Sequence, residues 1–350
     1  MNGQKRLRDY GIKIGRMKTG KRNAITDVAG VTVGHCTLSN GDMQTGVTAV
    51  LPHQDNIFQE KLIAASHVFN GFGKSMGLVQ INELGILETP IILTNTLSIG
   101  IAADALIKYM LRNNQDIGRS SGTVNPVVCE CNDMMLNDIR ASYVRSEHVF
   151  SAIENASTDF YEGGAGAGTG MVSYGLKGGI GTASRCFTLY NQTYTIGVLV
   201  LANFGKQEDL LVNGYPLGRE LSAKELDESE KGSVIILVAS DLPVTSRQLN
   251  RIIKRSAVGL SRTGSFIGNG SGDIVIGFSA AQRIPQQMTG LVSVKAIHDN
   301  DMDHAFHAAA EATEEAVLNA LVTAETTVGR DGYRAESLRE YIDWVKIFDF

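Results

Sequence analysis

The nine residues EKGSVIILV, from Glu230 to Val238, join a polar segment directly to an apolar one. The acidic run from Glu225 to Lys231 indicates an exposed loop. The β-branched and apolar residues that follow Ser233 predict a buried strand. This boundary between loop and strand is the reference point from which the other segments of the chain are interpreted.

Gly232 and Ser233, which lie at the boundary, suit a precursor that cleaves itself. The Ser233 hydroxyl can attack the carbonyl of unhindered Gly232, and hydrolysis of the resulting ester would free the α-amine of Ser233. An α-amine has a pKa of about 8, so it can act as a base near neutral pH. Glycine and serine are also common loop residues. Taken alone, the stretch therefore favours an ordinary loop-to-strand boundary.

The composition is that of a globular protein, since 43% of the 350 residues are apolar and 20% are charged. A net charge of -5 gives no reason to expect a nucleic acid or an anionic membrane as partner. No apolar stretch approaches the length of a membrane span, and the basic N-terminus lacks the apolar core of a signal peptide. Four cysteines in so long a chain do not form a disulfide framework, so we expect a cytoplasmic protein.

Apolar runs and helical periodicity predict one α/β domain over residues 1–350, cut at most by the loop before Ser233. Strands gather in two blocks, and helices follow each block. Besides the strand after Ser233, the predicted strands are 31–36, 46–51, 89–94, 127–130, 187–190, 194–201 and 274–278. The predicted helices are 98–111, 146–155, 245–260 and 303–326, and a long polar loop covers 206–231.

Three familiar cofactor patterns fail when their spacing is checked. Gly73-Lys74-Ser75 resembles the end of a phosphate loop, but Val68 stands where that loop needs glycine. The run GGAGAGTG at 163–170 lacks the final glycine of a dinucleotide site in every register, so a tight loop is the better interpretation. His304 and His307 share a helical face without the spacing of a metal pair. The sequence therefore predicts no cofactor and no metal.

What remains is a set of polar residues at the ends of apolar strands, where active sites of α/β proteins gather. Each of them, taken singly, is most simply a turn or capping residue. They are Glu130 with Asn132 and Asp133, Asn203, Ser233, and Ser271 with Asp273.

In combination, these residues and their surroundings occur in the order typical of one family. The chain resembles the DmpA-type L-aminopeptidase/D-amino-acid esterase-amidase family, which includes the β-peptidyl aminopeptidases. The resemblance covers nearly the whole chain and reverses the preference for an ordinary boundary at Ser233. It rests on NAITDVAGVTVGH (23–35), TGVTAVLPH (45–53), ECND (130–133), EGGAGAGTGM (162–171), LANFG (201–205), Gly232-Ser233 and SGD (271–273).

The resemblance implies a fold and a maturation step. The fold would be a four-layer αββα sandwich, with two packed β-sheets between helices, as in the DmpA and ornithine acetyltransferase proteins. The two strand blocks agree with such layers. The chain would be a single hydrolase domain that cleaves itself between Gly232 and Ser233, giving an α-chain of residues 1–232 and a β-chain of residues 233–350.

The resemblance also implies roles for the strand-end residues. Ser233 would be the nucleophile, and the side-chain amide of Asn203 would help to form the oxyanion hole. Ser271 and Asp273 would orient and polarise the nucleophile, although many relatives carry glutamate in place of Asp273. Glu130 would hold the free amine of the substrate, which agrees with the chemistry, because an ammonium that loses its water needs a carboxylate partner.

Three functions are open at this point. The first is an aminopeptidase or amidase that releases N-terminal L-, D- or β-amino acids from short peptides, amides or esters with a free amine. The second is an acyltransferase of the ornithine acetyltransferase type, against which Ser233 counts, because that family uses threonine. The third is a binding protein that keeps only the fold. The resemblance further implies a tetramer of αβ units.

Overall fold

A computed structural model describes residues 3–221, 232–287 and 290–342. The strands are β1 (Thr32–Asn40), β2 (Met43–Leu51), β3 (Glu60–Gly71), β4 (Ile86–Leu87), β5 (Ile91–Asn95), β6 (Val127–Cys131), β7 (Val172–Ser173), β8 (Leu176–Lys177), β9 (Gly179–Leu189), β10 (Gln192–Asn203), β11 (Ser233–Ser240), β12 (Gly272–Pro285), β13 (Thr327–Val328) and β14 (Arg334–Ala335). The α-helices are α1 (Leu78–Leu84), α2 (Ile99–Asn113), α3 (Ser146–Glu154), α4 (Leu217–Leu221), α5 (Ser246–Ile253), α6 (Ser256–Arg262), α7 (Asp303–Thr323) and α8 (Arg339–Ile342).

Two sheets carry most of these strands. The larger has six strands in the order β4-β3-β12-β11-β10-β9, and the smaller has four in the order β1-β2-β5-β6. The strand predicted after Ser233 is confirmed as β11, whose eight residues are all buried. It lies inside the larger sheet, antiparallel to β10 and parallel to β12.

The side chains of β11 alternate between two hydrophobic cores, as the pleat of a strand requires. Val234, Ile236 and Val238 pack in the core that contains α5, α6 and α7. Ile235 and Leu237 point the other way, into the core shared with the smaller sheet. Helix α3 lies against β1 and β2, and α2 against β5 and β6. The order helix, sheet, sheet, helix confirms the predicted αββα sandwich. Among the described residues, no helix is both long enough and apolar enough to cross a membrane.

A buried ion-pair network joins segments that are far apart in the chain. Arg185 on β9 is fully buried and contacts two carboxylates of α7, with Nε 2.9 Å from Glu311 and a terminal nitrogen 2.7 Å from Glu315. Arg8, near the N-terminus, lies 2.7 Å from Glu315 as well. Burial alone would raise the pKa of Glu315, but the two guanidinium groups outweigh it and lower this pKa.

Most predicted elements are confirmed, as β1, β2, β5, β6, β12, α2, α3 and α7, with bounds that differ by some residues. The predicted helix 245–260 is two helices, which separate at Lys254 and Arg255. The predicted hairpin is longer than its apolar runs, because β9 begins at Gly179 in a glycine-rich segment typical of turns. The predicted loop 206–231 is wrong in part, because α4 occupies residues 217–221 within it. The acidic part of this loop, 225–231, lies outside the described residues.

Candidate active site

Strand pairing places Ser233 between two other predicted site residues. Ser233 is the first residue of β11, and it lies opposite Asn203 on β10 and opposite Gly272 on β12. Directly opposed residues of antiparallel strands project from the same face of a sheet, so Ser233 and Asn203 are side-chain neighbours. Ser233 is only 4% exposed, and its Oγ lies beside the buried thiol of Cys131 without a hydrogen bond of good geometry within the described residues. A buried hydroxyl with this freedom can be turned toward a reacting carbonyl.

The peptide bond between Gly232 and Ser233 is held in position by a hydrogen bond to its carbonyl oxygen. Gly232 O accepts a hydrogen bond of 3.1 Å from Gly272 N. A Cβ at position 232 would come within 2.7 Å of Asn203 O and of Phe204 Cα, so only glycine fits here without a shift of backbone. The attacked carbonyl of the proposed cleavage therefore already has an N–H donor at its oxygen.

The amide of Asn203 is fixed at both ends. Its Nδ2 donates to Asn132 O at 3.0 Å, and its Oδ1 accepts from Val172 N at 3.0 Å. The second N–H of the amide is left for another acceptor. Neither partner was identified from sequence as a contact of Asn203, because both contacts are made across loops distant in the chain.

Ser271 and Asp273 form a buried pair of their own. Ser271 Oγ donates to Asp273 Oδ1 at 2.7 Å, and Asn70 Nδ2 donates to the backbone oxygen of Ser271. The residue between them is Gly272, the strand neighbour of Ser233. Within the described residues, Ser233 Oγ is not hydrogen-bonded to the pair. The pair thus lies next to Ser233 along the sheet, and its predicted polarising role stays a prediction.

Glu130 comes from the other sheet. It lies on β6, is 3% exposed, and accepts hydrogen bonds from Lys74 N at 2.8 Å and from Thr96 Oγ1. Both donors are neutral, so no cation of the described residues is paired with this carboxylate. Glu130 is therefore a buried anion with capacity for a positively charged ligand.

One cavity of about 610 Å³ brings the two sheets' residues together. Glu130, Gly232 and Ser233 all line it, and Phe72, Phe266 and Met134 supply apolar walls. Asn203, Ser271 and Asp273 are not part of this lining. Asn203 is the strand partner of Ser233, whereas Ser271 and Asp273 flank Gly272, its partner on the other side. The volume suits a small molecule. The carboxylate of Glu130 and the hydroxyl of Ser233 suit an ammonium group and a carbonyl on that molecule.

The sequence patterns missed several contributors. Lys74 belongs to the phosphate-loop pattern that fails, yet its backbone N–H donates to the carboxylate of Glu130. Thr96 and Val172 carry no motif, and Asn132, although it belongs to ECND, was not predicted to contact Asn203, since these contacts are made across the fold. The run 163–170 is a tight loop as predicted, because a Cβ at Gly168 would lie 2.3 Å from Gly163 O. His304 stacks on Phe187 with ring centroids 5.9 Å apart.

The chain is similar to known proteins over almost its whole length. A sequence model of peptidase family S58 matches residues 23–335. Beta-peptidyl aminopeptidase BapA from Sphingosinicella microcystinivorans is 38% identical, over 95% of this chain and 89% of that protein. The solved PH0078 protein from Pyrococcus horikoshii OT3 is 48% identical with a TM-score of 0.94, over 99% of each chain.

A further solved structure carries a description of its fold. The L-aminopeptidase D-Ala-esterase/amidase from Ochrobactrum anthropi is 35% identical with a TM-score of 0.89, over 96% of this chain and 98% of that one. It is described as a prototype for the serine aminopeptidases and as a new variant among the Ntn hydrolase fold. These relatives do not favour the acyltransferase alternative. The chain therefore belongs to peptidase family S58, and it is a hydrolase of the serine aminopeptidase type.

Proposed function

We propose that the protein releases N-terminal amino acids from short peptides, amides or esters that carry a free amine. The observation that carries this proposal is the cavity in which the buried carboxylate of Glu130, which forms no ion pair within the described residues, faces the same space as Ser233. An ammonium at Glu130 would place the adjoining carbonyl deeper in that space, toward the nucleophile. The names of the relatives, a β-peptidyl aminopeptidase and an L-aminopeptidase D-Ala-esterase/amidase, support L-, D- and β-amino acids as candidates.

Maturation is the first step of the proposal. Ser233 Oγ attacks the carbonyl carbon of Gly232, and the developing oxyanion receives the Gly272 N–H that already binds this oxygen at 3.1 Å. The C–N bond breaks, the nitrogen of Ser233 takes up the proton of the hydroxyl, and an ester remains. Water then hydrolyses the ester, which leaves an α-chain of residues 1–232 and a β-chain that begins with the free amine of Ser233.

Substrate hydrolysis repeats the chemistry with the new amine as base. The α-amine of Ser233 removes the proton of Oγ, and Oγ attacks the substrate carbonyl. The remaining N–H of the Asn203 side chain donates to the oxyanion, while the proton passes to the leaving amine or alcohol. Water releases the amino acid from the acyl-enzyme. Ser271 and Asp273, on either side of Gly272, supply polar and negative groups that orient and polarise the nucleophile.

Intact mass measurement combined with an activity assay tests the proposal. Purified wild-type protein should contain two chains, the smaller beginning at Ser233, and should hydrolyse an amino-acid p-nitroanilide but not acetyl-ornithine. Ser233→Ala should remain one chain and lack activity. An active wild type that consists of a single full-length chain would refute the maturation step, and turnover of acetyl-ornithine alone would restore the acyltransferase.

We also propose self-association into a tetramer of αβ units in the cytoplasm. Helix α1 exposes apolar side chains, with Val79 86% and Leu84 58% exposed, and such surface favours association. Cys129 and Cys131 are buried free thiols, which suits a reducing compartment. Size-exclusion chromatography with light scattering measures the assembly directly, and a mass of one αβ unit would refute the tetramer.

A further inference from the structure

Lys177 is a buried cation without an anion. Its side chain, on β8, is fully buried, and within the described residues it forms no ion pair. Nζ instead donates to three backbone oxygens, those of Gly168 at 2.8 Å, Met171 at 3.0 Å and Gly178 at 2.7 Å. Three acceptors match the three N–H groups of an ammonium, whereas a neutral amine has only two. Burial lowers the pKa of Lys177 to about 7, and the three carbonyl dipoles oppose that effect.

The Met171 carbonyl connects this charge to the candidate oxyanion hole. The oxygen that Lys177 binds and the N–H of Val172 belong to one peptide unit. That N–H donates to Asn203 Oδ1 at 3.0 Å. Asn203 in turn offers Nδ2 on the same face of the sheet as Ser233. A continuous series of donors and acceptors thus leads from the ammonium through the Met171–Val172 peptide unit to the Asn203 amide, which is the strand neighbour of Ser233.

This series of hydrogen bonds affects both the orientation of the Asn203 amide and its strength as a donor. Hydrogen bonds in series polarise one another, most strongly when one end is charged and the surroundings are of low dielectric. An ammonium on the Met171 oxygen makes the Val172 N–H a better donor. That N–H draws electron density toward Asn203 Oδ1 and makes Nδ2–H a better donor too. The bond also fixes the amide so that Nδ2, and not Oδ1, faces the site.

We propose that Lys177 is a positioning residue for the hydrolysis, acting through the Met171–Val172 peptide unit to orient and polarise the Asn203 amide. This inference rests on the proposed function, in which Asn203 stabilises the oxyanion. The simpler alternative is a structural anchor for the loop that Gly168 and Met171 belong to. An anchor requires donors but no charge, and burying a charge without a counter-ion is costly. The role of the charge is therefore what the experiment must isolate.

Lys177→Gln keeps N–H donors for the carbonyls and removes the charge. With mature enzyme and an amino-acid p-nitroanilide, we expect kcat to fall about tenfold or more while KM stays within about twofold, because the donor acts on charge that exists only in the transition state. In an Asn203→Ala background the same substitution should change kcat by less than about threefold, since its path to the oxyanion is gone. Lys61→Gln is the matched control, because Lys61 is a buried lysine paired with Glu88 at 2.6 Å, and it should lower stability but not kcat.

A second route keeps the inference testable if Lys177→Gln does not fold. Val172→Pro removes the N–H that Asn203 Oδ1 accepts while the chain keeps the Lys177 ammonium, so kcat should fall to a similar extent. Wild-type kcat in either variant would overturn the inference. So would a loss of kcat for Lys177→Gln that is as large in the Asn203→Ala background as in the wild type. In both cases an active wild type leaves the proposed function standing. A wild type that is cleaved yet hydrolyses no free-amine substrate would refute the proposed function and, with it, this inference.

Discussion

Glu130 receives hydrogen bonds from Lys74 N and Thr96 Oγ1 and forms no ion pair within the described residues, although Lys74 and Lys206 also line the cavity. Glu130→Gln keeps the shape of the side chain and removes the charge. We expect kcat/KM for a free-amine substrate to fall by roughly 30-fold, or about 2 kcal/mol, because a buried charge pair loses one member. Self-cleavage is the internal control, since the precursor presents no amine to Glu130. An equal loss of both reactions would show that Glu130 is structural.

In the proposed mechanism, Asn203 and Gly272 stabilise the oxyanions of two different reactions. In the precursor, the oxygen of Gly232 is already bound by Gly272 N, whereas Asn203 bonds to Asn132 and Val172. Asn203→Ala should therefore lower kcat for substrate hydrolysis about a hundredfold while the precursor still cleaves. Time courses on denaturing gels measure self-cleavage, and kcat of the mature protein measures hydrolysis. The melting temperature is measured on the same sample. Wild-type kcat with a lowered melting temperature would reduce Asn203 to a turn residue.

Asp133 gives the fold a distinct pH dependence. Burial raises the pKa of Asp133 to about 6, although Thr45 and Asn137 donate hydrogen bonds that oppose the shift. A folded-state pKa above the unfolded one means that stability is greatest at low pH and is lost as pH rises through about 6. Each pKa unit corresponds to about 1.4 kcal/mol, so Asp133→Asn should stabilise the protein by about 2–3 kcal/mol at pH 8. At pH 4 the substitution should bring no gain. Urea unfolding at both pH values measures this, and equal effects at both would contradict it.

At the scale of elements, the junction between the loop and β11 is the most constrained point. A Cβ at position 232 would lie 2.7 Å from Asn203 O and Phe204 Cα, both backbone atoms that cannot move aside freely. Gly232→Ala should therefore shift the scissile carbonyl from Gly272 N and slow self-cleavage by about tenfold or more. Gly122→Ala is the matched control, because nothing lies within 4 Å of its added Cβ. Intact mass measured over time gives the rate of cleavage. A wild-type rate in Gly232→Ala would show that the backbone of Asn203 and Phe204 has room for a Cβ at position 232.

The elements also show what the sequence could reveal. β11 was predictable because its apolar, β-branched run is uninterrupted and fully buried. The run that forms β3 was not, because His67 and Asn70 break its apolar pattern, and the start of β9 was not, because its glycines are typical of turns. The residues that bear on Ser233 were indicated by a family resemblance. Lys177 has no such signal, because its role arises from three carbonyl contacts that no local pattern encodes.

At the scale of the whole molecule, the proposed cleavage leaves two chains that share both the sheet and the buried network. β11 would belong to the β-chain and its neighbour β10 to the α-chain. Arg185 of the α-chain would remain fully buried against Glu311 and Glu315 of the β-chain. We therefore expect the mature chains to elute together in native size-exclusion chromatography and to separate only in denaturant.

Arg185→Met tests how much the network contributes. It leaves Glu311 without its cation and Glu315 with Arg8 alone, so the free energy of unfolding should fall by about 3–5 kcal/mol. The kcat of the folded fraction should stay near wild type, because Arg185 does not line the cavity. Arg247→Met is the control, since its pair with Asp299 is exposed and worth little. A wild-type unfolding curve for Arg185→Met would show that the free-energy cost of burying the Arg185 guanidinium equals the stabilisation from its ion pairs.

The pairing of β10, β11 and β12 has one more consequence. Asn203, Ser233 and Gly272 are remote in the chain and become neighbours only when these strands have found their register. A chain that has not reached the native state has no assembled groups with which to cut itself. Each severed molecule would thus record one successful folding event, and the uncut band on a denaturing gel would count the failures. A library of variants could be sorted for foldability by that band alone, with no substrate and no spectroscopic probe.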